Sequence, residues 1–286
     1  MKKALSLMTA AALVLSLAAC GSTASSAASS EAASPEAASS DAASSEAASS
    51  EAASETETAE LSTVEPGKLI MSTNAAFPPY EMTTDSGEFE GIDIETAQAI
   101  ADKLGLELVI DDMDFDAAQL AVQQGKSDIC MAGLSVTEDR LLVMDFSDSY
   151  ATGIQVVIVP EGSDVTLDNL GEQLIGTQRA TTGNIYCTDD YGEDHVIAYD
   201  DGIVAVQDLL NGKVDAVVID KAPAQEFVSA NPGLVILDTE YANEDYAIGV
   251  AKGNTALVDA VNGALAELTA DGTIQSIIEK YIPAEG

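Results

Sequence analysis

The chain has 286 residues, 49 of them acidic and 11 basic, for a formal net charge of −38. That balance excludes nucleic acid as a partner and adhesion to anionic lipid, because both need a basic face. A single histidine, His195, and three cysteines leave no material for a zinc cluster or a disulfide framework.

Lys2 and Lys3 form a basic start, residues 4–16 are almost wholly apolar, and L-A-A-C ends at Cys20. The apolar run is too short for a membrane span and has the flanks of a secretory signal. L-A-A-C resembles the lipobox of bacterial lipoproteins. That resemblance implies that residues 1–20 are a signal peptide and that Cys20 is lipidated and heads the mature chain. Residues 21–62 are rich in Ala, Ser and Glu, with acids at Glu31, Glu36, Asp41, Glu46 and Glu51. A five-residue step turns about 140° around a helix, so these charges face every side and leave no apolar stripe. The expectation is a disordered, self-repelling tether spanning roughly 30–40 Å.

Beyond the tether, short apolar runs alternate with helix-period segments. In chain order the pattern predicts strand 68–73, helix 93–104, strand 107–111, helix 115–124 and strand 128–131. A long strand over 153–159, reaching back to Tyr150, follows. Then come strands 173–177 and 196–199, helix 201–210, strand 215–220, helix 222–230, strand 246–251 and helix 255–269. Gly105, Gly125, Gly212 and Gly272 follow four of the helical patterns as C-terminal caps. Alternating strands and helices predict an α/β fold with mainly parallel sheets covered on both faces. The pattern occurs twice, and each occurrence holds a similar phrase: A-V-Q-Q-G-K-S-D-I at 121–129 and D-L-L-N-G-K-V-D-A at 208–216. This predicts two doubly wound lobes joined by a two-strand hinge. Lobe 1 would hold 63–157 and 247–286, and lobe 2 would hold 158–246. Ligands in such sheets sit at the carboxyl ends of the strands, so the cleft between the lobes is the expected site.

Several phrases carry a resemblance when taken together and in order. They are F-P-P-Y-E at 77–81, G-I-D-I-E at 91–95, G-K-S-D-I at 125–129, and L-S-V-T-E-D-R with D-F-S at 134–147. A-T-T-G at 180–183, G-K-V-D-A-V-V-I-D at 212–220 and A-D-G-T at 270–273 complete the set. The head resembles the family 3 extracellular solute-binding proteins, the polar amino-acid receptors of ABC importers. The resemblance implies a type II periplasmic-binding-protein-like fold and an amino-acid ligand held between the lobes. It also implies an ABC permease as partner and no catalytic step.

The residues agree. Only two arginines are present, Arg140 and Arg179. A planar guanidinium grips a carboxylate with two parallel hydrogen bonds, which an ammonium cannot do, so Arg140 is the candidate carboxylate fork. The small residues Ala132, Gly133 and Ser135 before it let backbone groups approach a ligand. Asp220 closes an apolar strand, where it could pair with an α-ammonium or cap the following helix. The resemblance assigns it the ammonium. It also places Phe77 and Phe115 on either side of the ligand side chain and Gln178 in contact with it. Thr181 and Thr182, at a helix start, would complete the carboxylate grip from lobe 2. One departure concerns the family's usual G-T-T, which here is A-T-T preceded by Arg179. Arg179 either points into the cleft and favours polar or acidic side chains, or pairs outside with a nearby acid.

Other signals fall short. D-D-M-D-F-D at 111–116 starts like a calcium loop, but Ala117 and Gln123 stand where glycine and glutamate are required. No cofactor and no metal are expected. Cys130 and Cys187 are expected to be buried free thiols. A monomer is expected, touching the membrane only through the lipid on Cys20. The alternatives are a ligand-sensing or adhesin lipoprotein of the same fold, and a dehydratase-type enzyme, for which the cleft offers no acid–base pair beyond Asp220.

Overall fold

The computed structural model describes residues 61–238 and 240–283. The signal segment, Cys20 and nearly all of the expected tether lie outside the described residues. The first half opens with β1 (Lys68–Thr73), followed by three short strands, β2 (Ala76–Phe77), β3 (Glu81–Thr83) and β4 (Phe89–Glu90), paired in a small sheet of their own. Then follow α1 (Ile92–Leu104), β5 (Glu107–Asp112), α2 (Phe115–Gln123), β6 (Ile129–Cys130) and α3 (Glu138–Val143). β7 (Met144–Pro160) crosses to the second half. That half holds β8 (Ile175–Gln178), α4 (Thr182–Tyr191), β9 (Val196–Tyr199), α5 (Gly202–Leu210), β10 (Ala216–Asp220), α6 (Lys221–Ala230) and β11 (Leu234–Ile236). β12 (Ala242–Ala251) returns, and α7 (Thr255–Ala270) and α8 (Thr273–Tyr281) close the chain onto the first half.

The main sheet runs β5-β1-β6-β12-β7-β10-β8-β9, with β11 also on β7. β5, β1 and β6 are mutually parallel, as are β10, β8 and β9. Between these two sets, β12 and β7 pair with each other antiparallel, from Ala242↔Gln155 to Ala251↔Met144. Two β-α-β-α-β units joined by two crossing strands are the two-lobed α/β fold expected from the alternation of elements. Register shifts interrupt the β7–β12 ladder between Tyr246 and Gly249. Each shift sets one extra residue on β7, which bends that strand as it leaves the first half.

The repeated phrase has a physical basis. Gly125 and Gly212 take φ of 65° and 66° as helices α2 and α5 end, a conformation that costs a side-chain-bearing residue about 1–2 kcal/mol. The aspartate after each then ties down a neighbouring strand. Asp128 accepts from the Val64 and Ile70 N–H groups at 2.7 Å each, and Asp215 from the Leu174 N–H at 2.9 Å. Apolar side chains cover both faces. Leu69, Met71, Ile92, Ile100 and Ile129 are fully buried in the first half, and Val157, Ile175 and Ala216 in the second. Each large one contributes about 1.5–3 kcal/mol.

Cys130 and Cys187 are both buried and free. Burial pushes each thiol up to about 12, which keeps them protonated and inert.

Candidate functional site

One narrow cavity lies where the two halves meet. Its lining is Asn74, Phe77, Glu81, Phe115, Ala132, Gly133, Ser135, Arg140, Gln178, Thr181, Thr182 and Asp220. The ten ligand-contact residues read from the sequence therefore come together at one place, with Asn74 and Glu81 in addition.

Arg140 sits on α3, whose start is fixed by Thr137 accepting from the Arg140 N–H at 3.2 Å. Its side chain is buried, at 6% exposure. Nη1 donates to the Ser135 carbonyl at 2.7 Å and Nη2 to the Ala180 carbonyl at 2.9 Å. The guanidinium carbon lies 5.5 Å from the centre of the Phe115 ring. Burial lowers its pKa below the usual arginine value, but arginine keeps its charge in proteins. Among the described residues no carboxylate forms an ion pair with it. Two of its five N–H donors are engaged, and the rest are open to an anion.

Asp220 occupies the N-cap position of α6 but makes no capping bond with its side chain. Oδ2 instead accepts from Gln155 Nε2 at 2.7 Å, and Oδ1 accepts from the Tyr246 hydroxyl. Burial pushes its carboxyl up to about 7, against the bonds from Tyr246 and Gln155 and together with the nearby Glu244. An arriving ammonium would restore the ionised form.

Gly133 explains the small run before Arg140. Its φ is +54°, and an added Cβ would stand 2.8 Å from the Phe77 ring. Its N–H donates to Asp93 Oδ2 at 2.9 Å, and Tyr150 donates to Asp93 Oδ1 at 2.7 Å. The loop is thereby pinned against the start of α1. Burial still holds Asp93 up at about 6.

From the second half, Thr181 caps α4: it accepts from the Asn184 N–H at 3.2 Å and donates to the Gln178 carbonyl at 2.7 Å. Thr182 donates its hydroxyl to Glu244 Oε2 at 2.8 Å. With both hydroxyl protons spent, the first-turn N–H groups are what α4 has left for an anion. Gln178 Nε2 reaches across to Asn74 Oδ1 at 2.8 Å, and Asn74 Nδ2 reaches Asp201 Oδ1 at 3.3 Å. Arg179 points away: half exposed, it pairs with Asp200 at 2.9 Å. This decides between the two roles that its sequence context left open.

Glu81 was not singled out from the sequence, although it ends the phrase F-P-P-Y-E. It is fully buried, no N–H or hydroxyl among the described residues donates to its carboxyl oxygens, and the protonated carboxyl lies in hydrogen-bonding reach of Asp93. Burial, reinforced by Asp93, holds its pKa well above the carboxylate range. Asn74 opens the short loop after β1 without any motif to mark it. Glu244 lies just behind the lining, bonded to Ser135 and Thr182. Its signal was the alternation of β12, which turns residues 244 and 246 to one face.

Comparison with known proteins bears on this geometry. The sequence profile of the bacterial extracellular solute-binding proteins, family 3, matches residues 69–284. The L-cystine-binding protein TcyJ of Escherichia coli (strain K12) is 28% identical over 225 residues, covering 77% of this chain and 85% of that one. The ABC transporter arginine-binding protein 1 of the same strain is 30% identical over 221 residues, covering 76% and 91%. Among solved structures, the arginine-, lysine-, histidine-binding protein ArtJ from Geobacillus stearothermophilus superposes with a TM-score of 0.73. It has 31% sequence identity and covers 77% of this chain and 96% of that one. With the family's profile spanning the whole described α/β head and the cavity at its lobe junction, the chain belongs to the bacterial extracellular solute-binding proteins, family 3.

Proposed function

We propose that this chain is an extracytoplasmic receptor that closes around a cationic amino acid and hands it to an ABC importer. The observation that carries this reading is the buried Arg140 guanidinium, unpaired with any carboxylate among the described residues, in the same cavity as Asp220. One end of the cavity is built for a carboxylate and the other for an ammonium. The α-carboxylate takes Arg140 and the start of α4, and the α-ammonium takes Asp220. The side chain runs between Phe77 and Phe115 toward Asn74, Gln178 and Glu81. A guanidinium or ammonium beside Glu81 supplies the counter-charge that this buried acid lacks and displaces its proton. The ring faces add cation–π attraction. The names of arginine-binding protein 1 and ArtJ agree with a basic ligand. The receptor performs no chemistry on its cargo and needs no cofactor. Lobe 1 consists of 63–157 and 247–286, lobe 2 of 158–246, and Cys20 carries the lipid that ties the receptor to the membrane as a monomer.

Calorimetric titration with arginine, lysine, histidine, glutamine and cystine tests the ligand class. Arginine or lysine is expected to bind most tightly, and Glu81→Gln to narrow the gap between arginine and glutamine by tenfold or more. Cystine or glutamine binding more tightly than every basic amino acid contradicts the cationic assignment.

A further inference from the structure

Glu244 stands on the returning strand β12, outside the ten ligand contacts read from the sequence. Its Oε2 accepts three hydrogen bonds from three parts of the molecule. Ser135 Oγ of lobe 1 donates at 2.8 Å, Thr182 Oγ1 of lobe 2 at 2.8 Å, and Gln155 Nε2 of the crossing strand β7 at 3.2 Å. Oε1 is buried and has no partner among the described residues. The same Gln155 amide nitrogen donates to Asp220 at 2.7 Å, so one amide joins the two carboxyl groups.

Ser135 and Thr182 both line the cavity. A hydroxyl has one proton to give and two lone pairs. Once the proton is committed to Glu244, only lone pairs face the cavity. Such a hydroxyl accepts from an ammonium and has nothing to offer a carboxylate. Ser135 is thereby matched to the same end of the ligand as Asp220. The ligand carboxylate is left to Arg140 and to the N–H groups that open α4.

We infer that Glu244 is a positioning residue for ligand recognition: by taking the protons of Ser135 and Thr182 it sorts the two ends of the bound amino acid, and by holding one hydroxyl from each lobe it fastens the closed arrangement. The inference rests on the receptor reading above. Glu244 reaches the ligand only through these hydroxyls and through its field at Asp220. The titratable and charged groups facing this pair are Tyr246 on β12, Tyr80 and Glu81 at β3, Arg140 on α3 and Tyr186 on α4.

The test is calorimetric titration of L-arginine into wild type, Glu244→Gln, Ser135→Ala and the double variant, from pH 5 to pH 8.5, with circular dichroism to verify folding. Glu244→Gln is expected to fold and to bind at least tenfold more weakly at pH 8. Its loss of affinity on acidification is expected to begin at lower pH than in wild type. The reason is that the charge which raises Asp220 has been removed, a shift that a purely structural role would not produce. In the double variant the two losses are expected to combine to clearly less than their product, because part of the Glu244 effect runs through that hydroxyl. Binding by Glu244→Gln within twofold of wild type, an unmoved acid limb, or losses that multiply in the double variant each overturn the inference. A wild type that binds no amino acid overturns the receptor reading itself, so the two failures are distinguishable.

Discussion

A buried guanidinium whose free donors meet neither water nor an anion costs several kcal/mol. Arg140 is held in its buried place by the Ser135 and Ala180 carbonyls, and a ligand carboxylate would supply the anion. Ala180, whose carbonyl takes one of its N–H groups, is the one non-glycine residue among those described with a positive φ, at 60°. The chain therefore carries a strained residue at the turn where its family usually has glycine. Ala180→Gly is expected to raise stability by about 1 kcal/mol, read as a higher urea midpoint, while leaving ligand affinity within a fewfold. Residues of this kind were legible in the sequence because they lie in contiguous phrases. Ala132, Gly133, Ser135 and Arg140 fall within nine positions, and Thr181 with Thr182 opens a helix. Asn74, Glu81 and Glu244 were not singled out. The roles of Asn74 and Glu244 depend on partners 62 to 127 positions away along the chain, such as Thr182 for Glu244 and Asp201 for Asn74, and that of Glu81 on its burial.

At the scale of elements, the strands and long helices follow the apolar periodicity closely, and the exceptions have physical causes. The pattern in the sequence begins β7 near Tyr150, but the strand begins at Met144. The polar residues of D-F-S at 145–147 interrupt the apolar run on which that expectation rests. Those residues are strand nonetheless, because β12 pairs with them at Asp145 and Phe146. α8 was missed although Ile274, Ile277, Ile278 and Tyr281 recur at helical spacing. The glycine at 272 read as an end, and it is also where the next helix begins. α8 packs on α1 and α7 and buries Ile274 and Ile277. Ile277→Ala is expected to cost about 2–3 kcal/mol by leaving a cavity in that contact, measured by denaturant unfolding. A loss below 0.5 kcal/mol would mean that α8 frays from the core.

For the whole molecule, the buried acids at the lobe junction set the pH response. Asp220 at about 7 and Asp93 at about 6 lie above their unfolded values, so between about pH 4 and pH 7 the folded chain holds protons that the unfolded chain releases. The ligand-free protein is therefore expected to gain stability as pH falls from 7.5 to 5. Below about pH 4 this gain ends, and Asp145 and Asp208, held low by lysines, and Asp271, held low by the Thr273 hydroxyl and N–H, lose their pairing. Ligand has the opposite dependence. An ammonium needs Asp220 ionised, so the extra stability conferred by saturating arginine is expected to shrink over the same fall in pH. Unfolding midpoints at pH 5 and pH 7.5, with and without arginine, check both signs.

The central claim is that Arg140 recognises the carboxylate of an amino acid whose ammonium meets Asp220. L-arginine and agmatine share the guanidinium and the amine and differ by that carboxylate alone. Calorimetric titration of both into wild type and Arg140→Ala tests the claim most directly. Wild type is expected to prefer arginine by about 2–5 kcal/mol, with Arg140→Ala binding the two about equally. Equal affinity of wild type for both, or an undiminished preference in Arg140→Ala, would contradict the account.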